Sequence, residues 1–177
     1  MNFIESMSKE NKKYFSNIIN LQQGTEILNE QDQCNHVLFL EKGEIEVYKI
    51  SKNGKTFRLY TIRSGESCVL NLSCVLSGSN YMAYARATTD IECVLVPYNK
   101  FLEIFQKEEA LRNYVFKLIS TRLIQITAKV EGIVLESLEE RLADWLTSHG
   151  SKNVYITHSE LADHLGSARE VISRQLK

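Results

Sequence analysis

Arg169, Glu170 and Arg174 fall within a six-residue window near the carboxyl end of the chain, inside the stretch T-H-S-E-L-A-D-H-L-G-S-A-R-E-V-I-S-R-Q-L-K that runs from Thr157 to Lys177. A guanidinium can grip guanine O6 and N7 with two hydrogen bonds, and a carboxylate can accept from cytosine N4. Three such groups on one short helix would equip it to read base edges in a DNA major groove. Ser167 and Ser173 add short hydroxyls suited to contacts with the duplex. Glu170 has a rival use as the capping partner of Ser167, and both uses draw on one carboxylate.

The elements that must present these groups are legible around them. Thr157 followed by Glu160 is a reciprocal capping pair that starts a helix. Leu161, Ala162 and Leu165 give that helix one buried face. Gly166 stops it, because glycine enters the left-handed region without a Cβ clash. A second helix follows at once, with Val171, Ile172 and Leu176 as its inner side and Arg169, Ser173 and Arg174 as its outer side. Two helices joined by a glycine turn predict a helix-turn-helix. An ordinary helical hairpin with a solvated charged face fits the same pattern. Arg169, Arg174 and Lys177 stand against Glu160, Asp163 and Glu170, so the segment is not a basic patch.

The 177 residues carry a net charge of −1 and are 44% hydrophobic, which permits a real core but no general affinity for polyanions. Any DNA binding must therefore be local. No apolar run approaches the ~20 residues of a membrane span, and the N-terminus lacks the layout of a signal peptide; a cytoplasmic protein with no membrane partner is expected. Residues 3–22 read as one or two amphipathic helices. From Gly24 to Val96 the texture is β: Val37–Leu40, Glu44–Tyr48, Thr56–Tyr60 and Glu92–Val96 are short apolar or alternating runs, punctuated by Lys42-Gly43, Asn53-Gly54 and Ser64-Gly65. Asn53-Gly54 is a hairpin signal. Such spacing predicts an antiparallel barrel or roll. Pro97 closes the last strand, and Phe101, Leu102, Ile104 and Phe105 mark the buried side of the helix after it.

A long helix is predicted from about Glu108 to Leu135. Phe116, Ile119, Leu123, Ile126, Val130 and Ile133 are spaced 3, 4, 3, 4, 3, a heptad seam that faces a partner helix or the helix's own domain. The reading adopted is a parallel homodimer, which suits recognition of paired half-sites. Residues 134–137 would be a hinge. Beyond them Leu142, Trp145 and Leu146 form a core stripe, Gly150 stops that helix, and Val154-Tyr155-Ile156 reads as a short strand.

G-S-A-R-E-V-I-S-R, with R-L-A-D-W-L upstream at Arg141–Leu146, resembles the recognition-helix region of the cAMP receptor protein/FNR family of bacterial transcription regulators. The resemblance extends over nearly the whole chain. It implies base contacts by Arg169, Glu170 and Arg174, while Ala168 stands where many members carry a phosphate-contacting serine. It implies an α+β architecture: an N-terminal antiparallel β-roll, a jelly roll like that of cyclic-nucleotide-binding domains, then a long dimerisation helix and a C-terminal winged helix-turn-helix. The corresponding domains are residues 1–107, 108–136 and 137–177. Members usually continue through a β-hairpin wing, so the wing is expected to be incomplete here and the chain truncated or its tail missing. The implied partners are double-stranded DNA, a second copy of the chain and RNA polymerase.

In the cAMP-binding members the pocket uses a G-E pair and, further on, an R-S or R-T pair. Gly65-Glu66 matches the first, but Tyr81-Met82 stands in place of the second. Neither side chain can neutralise a phosphate, so cAMP is not the expected cofactor. No cysteine precedes position 34, which argues against the iron–sulfur cluster of the FNR subgroup, and no metal site is expected. Cys34, Cys68, Cys74 and Cys93 form no C-x-x-C pair and no zinc-like spacing. Cys68 and Cys74 lie in the region that would face the effector, so a thiol signal, haem ligation by Cys68, Cys74 or His36, and a small apolar or anionic ligand all stay open. The function expected is a homodimeric, sequence-specific transcription regulator controlled by an unidentified small-molecule or redox effector at the β-roll. The rival is a ligand-binding module acting on protein partners without DNA. No P-loop, H-E-x-x-H or G-x-S-x-G motif is present, and an enzyme is not expected.

Overall fold

In the computed structural model the described residues are 2–54, 56–149 and 153–176, the side chains of Asn2, 132–134 and Asp163 excepted. The predicted helix stop at Gly150 and the terminal Lys177 lie outside them. The chain divides into two compact units, Met1–Ser120 and Thr121–Lys177.

The first unit opens with two single-turn helices, α1 (Asn2–Glu5) and α2 (Lys9–Lys12), and a 3-10 turn at Lys13–Phe15. Seven strands follow: β1 (Ile18–Leu21), β2 (Glu26–Leu28), β3 (His36–Lys42), β4 (Glu44–Ile50), β5 (Thr56–Arg63), β6 (Tyr84–Ala87) and β7 (Ile91–Pro97). Helix α3 (Val69–Ser77) interrupts them between β5 and β6. The strands form two antiparallel sheets of order β1-β7-β3 and β2-β6-β4-β5. This is the expected antiparallel roll. Ile45, Val47, Ala85 and Ala87 turn one face of the larger sheet inward, and β3 is buried on both faces from Val37 to Leu40.

Residues 18–21 correct the reading of 3–22 as helices alone. Ile18–Leu21 pairs with β7 in register Ile18↔Val94 to Leu21↔Ile91. Two adjacent β-branched residues favour a pleated surface, and a waiting strand edge decides the matter. The β4–β5 hairpin forms as predicted, with Ile50 opposite Thr56, so its loop is longer than a two-residue turn. Among the described residues of that loop, Gly54 supplies the left-handed backbone, at φ +75°.

Helix α4 (Tyr98–Lys107) starts at Pro97 and buries Phe101 and Ile104, with Leu102 and Phe105 packed beside them. Helix α5 (Glu109–Leu135) begins in the first unit and ends in the second. Its first turns belong to the roll: Leu111 and Val115 are fully buried, and Tyr114 lies 4.4 Å from the Phe3 ring in an aromatic cluster with Phe15, Phe39 and Phe101.

The second unit holds α6 (Leu138–Ser148), α7 (His158–Leu165) and α8 (Arg169–Gln175) around Leu142, Leu161, Ala162, Leu165 and Ile172. Leu146 and Leu176, assigned to inner faces from sequence, are 43% exposed instead. Val154–Ile156 forms no strand among the described residues. An extended segment becomes a strand only when a neighbour takes its backbone hydrogen bonds.

Gly43 links β3 to β4 at φ +87°, and a Cβ there would stand 2.4 Å from the Asp90 carbonyl oxygen and 2.8 Å from an Ile91 methyl. Both objections are to backbone or buried core, which cannot yield cheaply. Gly43→Ala is expected to lower the unfolding free energy in urea by at least ~2 kcal/mol. Gly54→Ala, at a similar φ but in open space, should cost only ~1 kcal/mol. Equal losses would show that backbone conformation alone sets the penalty.

Candidate nucleic-acid interface and sensor site

The C-terminal helices are positioned by their ends. Thr157 caps α7: its hydroxyl accepts the Glu160 N–H at 3.2 Å, and the Glu160 carboxylate accepts the Thr157 N–H at 2.9 Å. Gly166 ends the helix at φ +62°, and Ser167 N–H donates to the Ala162 carbonyl at 2.9 Å to close the turn. Ser137 and Glu140 form an equivalent capping box on α6, and those hydrogen bonds hold the Glu140 carboxyl below its ordinary pKa. Arg141, in the family-like stretch, donates to the last-turn carbonyl of Leu165 at 3.1 Å and to the Glu136 carbonyl at 2.7 Å. A cation at a helix C-terminus complements the partial negative charge there. Sequence reasoning missed this role because it depends on a carbonyl 24 residues away.

The predicted capping pair on the second helix does not form. Ala168, at φ −93° and ψ 145°, is the residue before α8, and no side chain caps that end. Glu170 is thereby released from the competition between capping and base reading. Ile172 is fully buried. At 100° per residue, positions two before and two after it lie on the far side of the helix, and Glu170 and Arg174 are exposed there; Arg169 is exposed as well. Among the described residues none of the three makes a hydrogen bond or ion pair. The two serines are placed differently. Ser167 is half-buried in the turn, and the Ser173 hydroxyl lies 2.8 Å from His158 Nδ1, tying α8 to the start of α7. Gln175 ties α8 to α6 by donating to Glu139 at 2.7 Å.

On α5, Phe116, Leu123, Ile126 and Val130 are between 49% and 63% exposed. Ile119 instead packs, partly buried, on the core of the roll. The side chain of Ile133 lies outside the described residues. Four of the six heptad positions thus form an apolar strip that the chain's own described residues leave open.

The residues assigned to the effector pocket separate into three groups. Gly65 and Glu66 build the turn after β5: Gly65 is left-handed at φ +87°, Glu66 accepts the Arg63 N–H at 3.0 Å, and the Gly65 carbonyl accepts the Tyr114 hydroxyl at 3.1 Å. Cys68 and Tyr81 meet in the interior, with Cys68 Sγ 3.3 Å from the Tyr81 hydroxyl and 3.5 Å from that of Tyr60. Tyr81 is fully buried, and burial followed by the neighbouring Cys68 sulfur pushes its phenol above the ordinary range. Met82 stands apart, 53% exposed. Arg86 serves its strand: it pairs with Glu46 across β6–β4 and lies 5.1 Å over the Tyr48 ring.

Cys74 requires a correction. It is not a free thiol beside Cys68 but is cross-linked to Cys34, 40 residues earlier. Closing a loop of that length stabilises by roughly 4 kcal/mol in the chain-entropy account. Long spacing without a local motif hides such a pair from sequence reading. Cys68 and Cys93 are the free, buried cysteines, and burial raises the Cys93 thiol to about 11. Among the described residues no helix is long and apolar enough to cross a membrane, and no group of three His, Cys, Asp or Glu is placed to hold a metal ion.

Comparison with known proteins bears on both units. Residues 18–108 match the family model of the cyclic nucleotide-binding domain, and residues 140–177 match that of the Crp-like helix-turn-helix domain. The chain is similar to the cAMP-activated global transcriptional regulator Vfr of Pseudomonas aeruginosa, 23% identical over 158 residues that cover 82% of this chain and 74% of Vfr. It is similar to the cAMP-activated global transcriptional regulator CRP of Salmonella typhimurium, 22% identical over 161 residues that cover 85% of this chain and 76% of CRP. A crp/fnr-family structure from Eubacterium rectale aligns with a TM-score of 0.74 at 28% identity, covering 99% of this chain and 86% of the other.

Proposed function

The chain belongs to the cAMP receptor protein/FNR family of bacterial transcription regulators and carries its helix-turn-helix DNA-binding domain, and from that premise we propose that it works as a homodimer reading a two-half-site operator through α8, under control of a signal received in the β-roll. The family is one of regulators, not enzymes. The observation that carries the reading is the disposition of α8. Ile172 anchors one face, while Arg169, Glu170 and Arg174 stand exposed with base-reading chemistry. A module acting only on protein partners would have no use for this arrangement.

The open strip of Phe116, Leu123, Ile126 and Val130 supports dimerisation through α5. Unpartnered apolar residues at heptad spacing are what a second identical helix covers. Two-fold symmetry then presents two copies of α8 to half-sites about one helical turn apart. Such a regulator acts in the cytoplasm on duplex DNA and engages RNA polymerase.

The effector differs from cAMP in this reading. A cyclic phosphate needs a cation or a cluster of donors in the roll. At the position of the family's arginine the chain has Tyr81, wholly buried with its hydroxyl beside Cys68, and Arg86 is spent on Glu46. Whatever signal the roll receives must bind or modify the DNA-competent and incompetent states unequally, since equal affinity shifts nothing.

Arg169→Ala and Arg174→Ala are each expected to weaken binding to a selected operator by roughly 10- to 100-fold and to relax selectivity at one base pair. Loss that is uniform across DNA sequences would reassign them to phosphate contacts. Ile126→Lys should halve the mass found by sedimentation; an unchanged mass would refute α5 as the dimer seam. Calorimetric titration with cAMP should give no heat of binding, and a micromolar site would overturn the reading of Tyr81.

A further inference from the structure

Two segments, one just before β3 and one just after α3, are stitched together. Gln31 N–H donates to the Tyr81 carbonyl at 2.7 Å, Tyr81 N–H donates to the Asp32 carbonyl at 2.9 Å, and Gln33 bridges to Asn80. Cys34 ends the first segment, and its disulfide to Cys74 fastens that segment to α3. The same short loop contains Gln31 at φ +74°, the only non-glycine residue with positive φ among the described residues. Side chains with a Cβ hold that conformation only where their surroundings impose it. The disulfide therefore closes a ring that fixes Tyr81, the residue occupying the interior of the roll.

Both cysteines are buried, Cys34 at 8% and Cys74 at 3% residue exposure, so exchange requires a local opening of the loop that carries Cys34. An open recess of about 340 Å³ has Gln33 and Asn35, the chain neighbours of Cys34, among its walls, but neither cysteine lines it. The reduced state is also provided for. Cys74 Sγ lies 2.9 Å from the Ser79 carbonyl oxygen. A disulfide sulfur has no proton to donate, so this contact becomes a hydrogen bond only when Cys74 is a thiol. The segment Ser79–Tyr81 is thus addressed by Cys74 in one redox state and by the cross-linked Cys34 loop in the other.

We infer that Cys34–Cys74 is a reversible thiol–disulfide switch that sets the mobility of Tyr81, an inference that names the signal of the regulator proposed above and rests on that reading for its consequence. A dithiol reductant attacks Cys34 Sγ as a thiolate. The S–S bond breaks, and Cys74 leaves as a thiolate and takes up a proton. The second thiol of the reductant then displaces Cys34, which is protonated in turn. The reductant ends as a disulfide, and two electrons and two protons have entered the protein. Glutathione disulfide, as oxidant, runs the sequence backwards.

The test uses the intact chain in two states, equilibrated with dithiothreitol or with glutathione disulfide. Alkylation in denaturant should label four cysteines in the first and two, Cys68 and Cys93, in the second, reversibly over repeated cycles. Hydrogen exchange at the Gln31 and Tyr81 amides should be at least about tenfold faster in the reduced state, with the β4–β5 amides unchanged. Four labelled thiols after oxidation, or identical exchange in the two states, would overturn the switch. Cys34→Ser should lock the fast exchange whatever the redox buffer; because the native chain is compared with itself, the test stands even where that variant folds poorly. Affinity for an operator recovered from random-sequence duplexes, measured on the same samples, separates the two claims. Exchange that responds to redox while duplex binding is absent in both states supports the switch and sinks the regulator reading. Duplex binding that ignores redox while exchange responds to it overturns Tyr81 as the relay.

Discussion

The orientation of α8 depends on one buried isoleucine. Ile172 has no exposed surface, and it joins Leu142, Leu161, Ala162 and Leu165 in the core of the C-terminal unit. Helical geometry then leaves no choice about the rest of α8: burying position 172 drives Glu170 and Arg174 to the opposite side. The helix is only seven residues long and has no side-chain cap, so its orientation cannot come from intrinsic helix stability. It is held by that anchor and by two polar ties, His158–Ser173 and Gln175–Glu139. A small core thus fixes the aim of side chains that it does not itself contain.

The N-terminal unit follows the opposite logic. Its core is large, and Tyr81 and Cys68 lie inside it. Two antiparallel sheets, the aromatic cluster around Phe39 and the first turns of α5 enclose an interior in which Tyr81, Tyr60 and Cys68 bring polar atoms together. Buried hydroxyls are tolerated because each finds a partner: the Tyr60 oxygen also accepts the Leu70 N–H. On the proposed reading, Tyr81 stands where the cAMP-binding members place a cation, and it is accommodated there as a fully buried residue of the roll.

Local signals carried much of this into the sequence. The capping pair Thr157–Glu160, the stop at Gly166 and the heptads of α5 are all written within a few residues, and each has a mechanism that needs nothing distant. What was not legible depended on distant partners. Ile18–Leu21 looked like the end of an amphipathic helix because its strand partner, β7, lies some seventy residues on. Helix α3 carries no amphipathic signature, because V-L-N-L-S-C-V-L is apolar on most sides, as a helix sunk in a core must be. Pairing of Cys34 with Cys74 required knowing that α3 lies against the loop before β3. Ser167 was a plausible cap by spacing, yet the left-handed turn at Gly166 places Ala168 at the helix start. For the site, the three exposed side chains of α8 were identifiable from type and spacing, whereas the packing of Tyr81 was not.

The central claim is that two copies of α8 enter the major groove of one duplex. Methylation protection tests it most directly, because guanine N7 is reached through the major groove and adenine N3 through the minor groove. On an operator recovered by selection, protection of guanine N7 is expected in two clusters related by symmetry and separated by about one helical turn, ~10 base pairs. Protection confined to adenine N3, or a single unpaired cluster, would contradict the account.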